Sequence, residues 1–140
     1  DRYFAVNSRA PALLMGEFAR RHRARDACFG RIINISTDAA RAFGTQIGYG
    51  ASKLALEALT RSVAWEVGPL GITVNAVAPG IIQTDMIDGV FDAKTIAGMV
   101  PMKRAGRPEE VADLVGFLAS EQAELITGAA IPIDGGWSAQ

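Results

Sequence analysis

The sequence predicts an α/β fold built on parallel strands, and two observations carry that reading. Short, β-branched apolar segments lie at 31–36, 72–78 and 129–133, as buried strands do. Segments with the apolar spacing of helices alternate with them, the longest over 48–67. Strand–helix alternation implies parallel strands joined by right-handed crossovers. There is no internal repeat and no linker, so a single unit covers 1–140.

Each element has a local reason. Residues 1–22 carry Phe4, Val6, Leu13, Leu14 and Phe18 and end in basic residues, which reads as a helix that Pro11 kinks or divides. A loop over 24–30 leads into the strand at 31–36, and a second loop spans 37–46. The helix over 48–67 ends at Gly68-Pro69-Leu70-Gly71. The strand Ile72–Ala78 is closed by Pro79-Gly80. An excursion over 81–106 holds a short helix or two. Pro108 suits a first helical position, with Glu109 and Glu110 complementing the dipole, so 108–119 is a helix. The last strand precedes Asp134-Gly135-Gly136.

Composition narrows the function. The 140 residues are 49% hydrophobic and 21% charged, an ordinary globular balance that excludes disordered and low-complexity classes. A net charge of −1 offers no argument for nucleic acid. No apolar run approaches a membrane helix and no leader opens the chain, so a cytoplasmic protein with no membrane partner is expected. One cysteine, Cys28, and one histidine, His22, leave no disulfide, multi-His metal site or His-based triad; no metal is expected. The arginine-rich surroundings of His22 predict a surface position. Residues 1–31 carry +4 and 32–140 carry −5. The cluster Arg20, Arg21, Arg23 and Arg25 reads first as a solvated helix end and second as an anion or partner patch.

The informative stretch is Tyr49-Gly50-Ala51-Ser52-Lys53. Tyr49 and Lys53 are one helical turn apart on one face. A phenol with a reference pKa of about 10 is a poor base at neutral pH, and a neighbouring ammonium lowers that value. The pair can then exchange a proton with an alcohol or carbonyl, while a hydroxyl at the nearby strand end, Ser36 or Thr37, holds the substrate oxygen. The spacing alone is weak evidence. It gains weight from Ser36 thirteen positions before Tyr49, Asn7 in an apolar context, and Asn75-Ala76-Val77-Ala78-Pro79-Gly80 followed by Thr84-Asp85.

With these residues assembled, the chain resembles the C-terminal part of the short-chain dehydrogenase/reductase family. The matching segments are Val6-Asn7, Gly30–Ser36, Tyr49–Lys53, Gly71–Gly80, Gly106–Ala112 and Ile133–Gly136, in the family's order and over nearly the whole chain. The resemblance implies the C-terminal half of a Rossmann-type doubly wound parallel sheet, with about three strands and flanking helices. It implies an NAD(P)-dependent oxidoreductase that interconverts a carbonyl and a secondary alcohol. Tyr49 would be the acid or base, and Lys53 would lower its pKa and hold the nicotinamide ribose. Asn7 would hold a helix bend and a water. Pro79, Gly80, Ile82 and Thr84 would line the nicotinamide. For the substrate hydroxyl, strand register points to Thr37 and the spacing to Tyr49 points to Ser36; the spacing is preferred here. Thr84-Asp85-Met86 and Gly106-Arg107-Pro108 bring the chain nearest to 3-oxoacyl-acyl-carrier-protein reductases.

The family's Gly-rich pyrophosphate loop and the residue that selects NAD or NADP have no counterpart in these 140 residues. The 140-residue chain alone is therefore expected neither to bind cofactor tightly nor to turn over without that first half. Ala51, Ala55, Ala58 and Ser62 form a small-residue stripe, read either as core packing or as the interface of a homo-oligomer, a dimer or tetramer. Met86, Ile87, Val90, Phe91, Ile96, Met99, Val100 and Met102 fit a substrate lid or a core equally well. A reading of another class is a non-catalytic partner that assembles through the 51–62 face.

Overall fold

In the computed structural model, residues 2–42, 46–85 and 87–139 are described. Strands β1 (Gly30–Ile35), β2 (Ile72–Pro79) and β3 (Ala130–Ile133) form one parallel sheet in that order. The register pairs Ile32 with Val74, Asn34 with Ala76 and Val77 with Ile131. The central strand is buried along Ile72–Ala78. Apart from Thr73 and Asn75 its residues are apolar, as a strand covered on both faces requires.

The first helical stretch runs as α1 (Arg2–Phe4), a π-helical segment (Ala5–Arg9) and α2 (Ala10–Ala24). Pro11 accounts for the interruption. It has no N–H to give to the Asn7 carbonyl, so the ladder slips, and the Ala10 N–H donates to the Ala5 carbonyl five residues back. The expected loop at 37–46 contains α3 (Ala39–Ala42), while 43–45 lie outside the described residues. Helix α4 (Ile47–Val67) ends in a 3-10 turn at Gly68–Leu70 and a left-handed Gly71 at φ 72°. A Cβ on Gly71 would run into the Cys28 carbonyl oxygen, so the turn into β2 calls for glycine. Helices α5 (Ala93–Met99) and α6 (Pro108–Ala119) complete the set, the latter with the bounds that its Pro and Glu residues predict.

The alternation of the strands sorts the core into two layers. On one face, α2 and α4 pack Met15, Ala64 and Val67 against Ile72 and Val74. On the other, α6 packs Leu118 against Val77. The same helical period corrects the reading of His22. It lies one turn after Phe18, on the inward side of α2, while Arg20 and Arg21 turn outward to Glu17. His22 is 1% exposed, stacks on Phe18, and its Nε2 is 2.9 Å from the Leu70 carbonyl.

The excursion between β2 and α6 has a core of its own. Ile96, Val100 and Ala105 are buried together, with Ile81, Ile87, Phe91 and Met99 against them. Val90 and Met102 are exposed, and Met86 lies outside the described residues. Among the described residues no helix is long and apolar enough to cross a membrane.

Candidate active site

Parallel strands deliver their C-terminal ends to one edge of the sheet, and the candidate residues gather there. The Asp38 N–H donates to the Pro79 carbonyl at 3.0 Å, and the Gly80 N–H donates to the Ile133 carbonyl at 3.1 Å, so the ends of all three strands are tied together. Above them lies a cleft of about 500 Å³ bordered by Thr37, Tyr49, Pro79, Gly80, Ile82 and Thr84. Ile87 and Phe91 from the excursion close its far side. These two residues thus belong both to the packed excursion and to the cleft wall.

Local chemistry explains each placement. Tyr49 is in the first turn of α4, with its ring edge-on to Tyr3 at 6.0 Å. Gly50 lets α3 lie against α4, since a Cβ there would stand 2.7 Å from the Ala39 carbonyl oxygen. Gly80 meets the same demand from the C-terminal side, where a Cβ would lie 2.7 Å from that of Asp134. Ile82 is held by a bridge to Gly106, and the Thr84 hydroxyl turns back to the Ile82 carbonyl at 3.4 Å.

Lys53 and Asn7 line a second groove beside the first. Lys53 Nζ donates to the Ile35 carbonyl at 2.7 Å and stands 5.9 Å from the centre of the Tyr49 ring. Asn7, in the π-helical segment, donates to the Ser52 hydroxyl at 3.0 Å, and Ser8 donates to the Ser52 carbonyl at 2.8 Å. The bend in the first helical stretch is thereby fastened to the residue next to Lys53.

Two details differ from the sequence reading. The first is the hydroxyl. Ser36 is 3% exposed and donates to Glu57 Oε1 at 2.7 Å, beneath the sheet end rather than towards Tyr49. Thr37 borders the cleft with Tyr49, and its hydroxyl donates to Asp38 at 3.2 Å. Strand register points to Thr37, while Ser36, to which chain spacing points, borders the same cleft with its hydroxyl engaged by Glu57. The second is the phenol. Burial pushes the Tyr49 pKa up, with Asp38 and Tyr3 acting in the same direction, and only the Thr37 hydrogen bond opposes them. Burial in turn lowers the Lys53 pKa. The ammonium is committed to the Ile35 carbonyl and does not overcome the desolvation of the phenol.

Asp38, which the sequence reading passed over, is part of this site. It is 7% exposed, accepts from the Thr37 hydroxyl at 3.2 Å, and has its own pKa raised by burial and by Asp134. Asp38→Asn keeps an acceptor for Thr37 and removes the charge. The Tyr49 phenol is then expected to titrate at lower pH, read from the ring ζ-carbon resonance of ¹³C-tyrosine; an unchanged midpoint would show that Asp38 does not act on Tyr49. Asn75 had appeared only as part of a motif. It is buried in β2, donates to the Ile126 carbonyl at 2.7 Å and accepts from the Ala129 N–H at 3.1 Å, which sets the entry to β3.

With this geometry established, comparison with known proteins is informative. A family model described as enoyl-(acyl carrier protein) reductase matches residues 1–138. The chain is 49% identical over 113 residues to 3-oxoacyl-acyl-carrier-protein reductase FabG of Pseudomonas aeruginosa, covering 79% of this chain and 46% of the relative. A solved short chain dehydrogenase/reductase family protein superposes with a TM-score of 0.87 at 40% identity, covering 98% of this chain and 57% of that one. 4-Hydroxyisoleucine dehydrogenase complexed with NADH superposes with a TM-score of 0.89 at 34% identity, covering 98% of this chain and 58% of that one. The chain spans about half the length of the curated relatives it matches. The family match spans nearly the whole chain and the fold superposes on solved members, and the chain belongs to the short-chain dehydrogenase/reductase family.

Proposed function

We propose that the protein carrying this chain is an NAD(P)-dependent oxidoreductase that interconverts a carbonyl and a secondary alcohol. The observation that carries the reading is the gathering of Tyr49 and Thr37 in one cleft at the sheet's C-terminal edge, with Lys53 alongside. The residues fit a nicotinamide nucleotide. An ammonium has three donors and the Ile35 carbonyl takes one, so Lys53 can also serve ribose hydroxyls. Pro79, Gly80, Ile82 and Thr84 offer a flat, partly apolar wall with main-chain groups for the nicotinamide. The nucleotide, when bound, supplies or accepts the hydride.

The chain's own residues do the rest. Thr37 donates to the substrate oxygen and fixes it beside the phenol. In reduction Tyr49 gives its proton to that oxygen, and in oxidation the phenolate removes the proton from the alcohol. A phenol held above its ordinary pKa remains protonated at neutral pH, which suits reduction. Asn7, donating to the Ser52 hydroxyl, holds the helix bend next to Lys53.

The substrate class we propose is a 3-oxoacyl thioester. The FabG relative is named for that chemistry, and the apolar wall of Ile81, Ile87 and Phe91 suits an acyl chain. The cofactor site needs more of the fold than these residues. In a parallel strand alternate residues turn their main-chain groups to opposite sides, and those of Arg31, Ile33 and Ile35 point away from β2. An apolar groove along that edge, with Leu14 and Phe18 on its wall, is built to receive a further strand. The small-residue stripe faces outward, with Ala51, Ala58 and Ser62 exposed between Ile47 and Trp65, each 85% exposed. It is the face through which two copies would pair along α4. The alternative, a non-catalytic assembly partner, rests on this face alone.

The test is direct. The full-length protein, mixed with a 3-oxoacyl thioester, is expected to consume NADH or NADPH, followed by the loss of its absorbance. No turnover with either nucleotide, against a panel of ketones as well, would leave the assembly reading standing.

A further inference from the structure

Glu57 lies two helical turns beyond Tyr49 on α4 and is only 3% exposed. The proposed chemistry does not use it. A carboxyl so buried persists only where a partner compensates its desolvation. Its Oε1 accepts from the Ser36 hydroxyl at 2.7 Å, and Ser36 is equally buried. Ser36 continues the face of β1 on which Ile32 and Asn34 pack towards α2 and α4, and Asn34 makes a parallel contact one step earlier, donating to Thr60 at 2.9 Å. The next residue in the chain is Thr37, which leaves the strand on the cleft side.

The main chain is pinned at both sides of Thr37, by the Ser36 N–H to the Val77 carbonyl at 2.7 Å and the Asp38 N–H to the Pro79 carbonyl at 3.0 Å. Those bonds fix the β1 end relative to β2. They do not fix it relative to α4, the helix that carries Tyr49. Two bonds do so: Lys53 Nζ to the Ile35 carbonyl at 2.7 Å and, next to Thr37 itself, the Ser36 hydroxyl to Glu57. Glu57 is eight residues from Tyr49, about 12 Å along the helix, so it cannot touch the reacting atoms.

We propose that Glu57 is a positioning residue: through Ser36 it locks the end of β1 onto α4 and so holds the Thr37 hydroxyl against the Tyr49 phenol. This rests on reading Tyr49 and Thr37 as the reacting pair. A rigid second layer of this kind matters because misplacement of a reacting group by an ångström is costly to rate.

The experiment compares Glu57→Gln, Glu57→Leu and Ser36→Ala in the full-length protein. Gln retains an oxygen acceptor at the same place, while Leu and the Ser36 variant each delete the bond. Glu57→Leu and Ser36→Ala are each expected to lower kcat roughly tenfold with little change in KM for the nucleotide, and the double variant to be no worse than either. Glu57→Gln is expected to restore kcat to within about threefold. A readout independent of turnover is the ¹³C ζ-carbon titration of Tyr49. The Thr37 bond lowers the phenol pKa, so the deleting variants should titrate at higher pH and Glu57→Gln should not.

The proposal falls if the deleting variants lose stability alone, leaving kcat and the Tyr49 titration unmoved. It falls equally if Glu57→Gln is as impaired as Glu57→Leu. Should Glu57→Leu fail to fold, Ser36→Ala carries the same comparison with a smaller change. A failure of the underlying functional reading looks different: turnover is absent throughout while the titration shift still appears.

Discussion

Tyr49→Phe in the full-length protein is expected to lower kcat for carbonyl reduction by about 10²–10⁴-fold, the span that a positioned general acid contributes. The substitution removes one oxygen and little else. The ring keeps its edge-on contact with Tyr3, and the backbone of the first turn of α4 is unaffected. The half-buried phenol gives up only its hydroxyl, a cost of about 1 kcal/mol. The unfolding midpoint should therefore move little while the rate collapses, and the two are measured on the same preparation. A variant that turned over at the parental rate would sink the acid–base assignment and, with it, the mechanism proposed for the cleft. A variant that lost its fold together with its rate would instead point to a structural role for the phenol.

That separation is possible because so much of the fold follows from local rules. A short, β-branched and mostly apolar segment closed by Pro79-Gly80 reads as a strand covered on both faces, and β2 is one. Pro108 followed by two glutamates announces α6, where Glu110 accepts from the Arg107 N–H at 2.7 Å. His22 was misread because a run of arginines hides the helical period beneath it; the burial of one position in four is a property of the face, not of the neighbours in sequence. Glu57 and Asp38 were passed over for a related reason. A carboxylate in a sequence reads as solvated, and only tertiary contact with Ser36 or Thr37 reveals otherwise. Tyr49 and Lys53 were legible because a helix fixes their relation within one turn. What surrounds them, including the burial that raises the phenol pKa, is set by elements distant in the chain.

The choice between Ser36 and Thr37 shows which kind of sequence evidence to prefer, and it leads to the second large effect. Spacing to Tyr49 counts residues through a connection that contains α3 and can gain or lose one without moving either end. Register in a parallel sheet cannot slip by one without turning every side chain to the other face. Ser36 accordingly gives its hydroxyl to Glu57 on α4, and Thr37 borders the cleft with Tyr49. Thr37→Ala is expected to lower kcat/KM by about 10²–10³-fold, as for loss of a donor to a developing oxyanion. Thr37→Ser keeps the hydroxyl and should stay within about tenfold of the parent. The bond that Thr37 now makes to Asp38 is long, at 3.2 Å, so a substrate oxygen can take its place as acceptor. Under the spacing assignment the order would invert, with Ser36→Ala the more damaging variant and Thr37→Ala nearly silent. Measuring kcat/KM for the three variants side by side decides the matter. A hydroxyl that binds substrate shows itself in the step from Thr to Ala, whereas one that only supports the strand end shows the smaller, kcat-limited loss expected of Ser36.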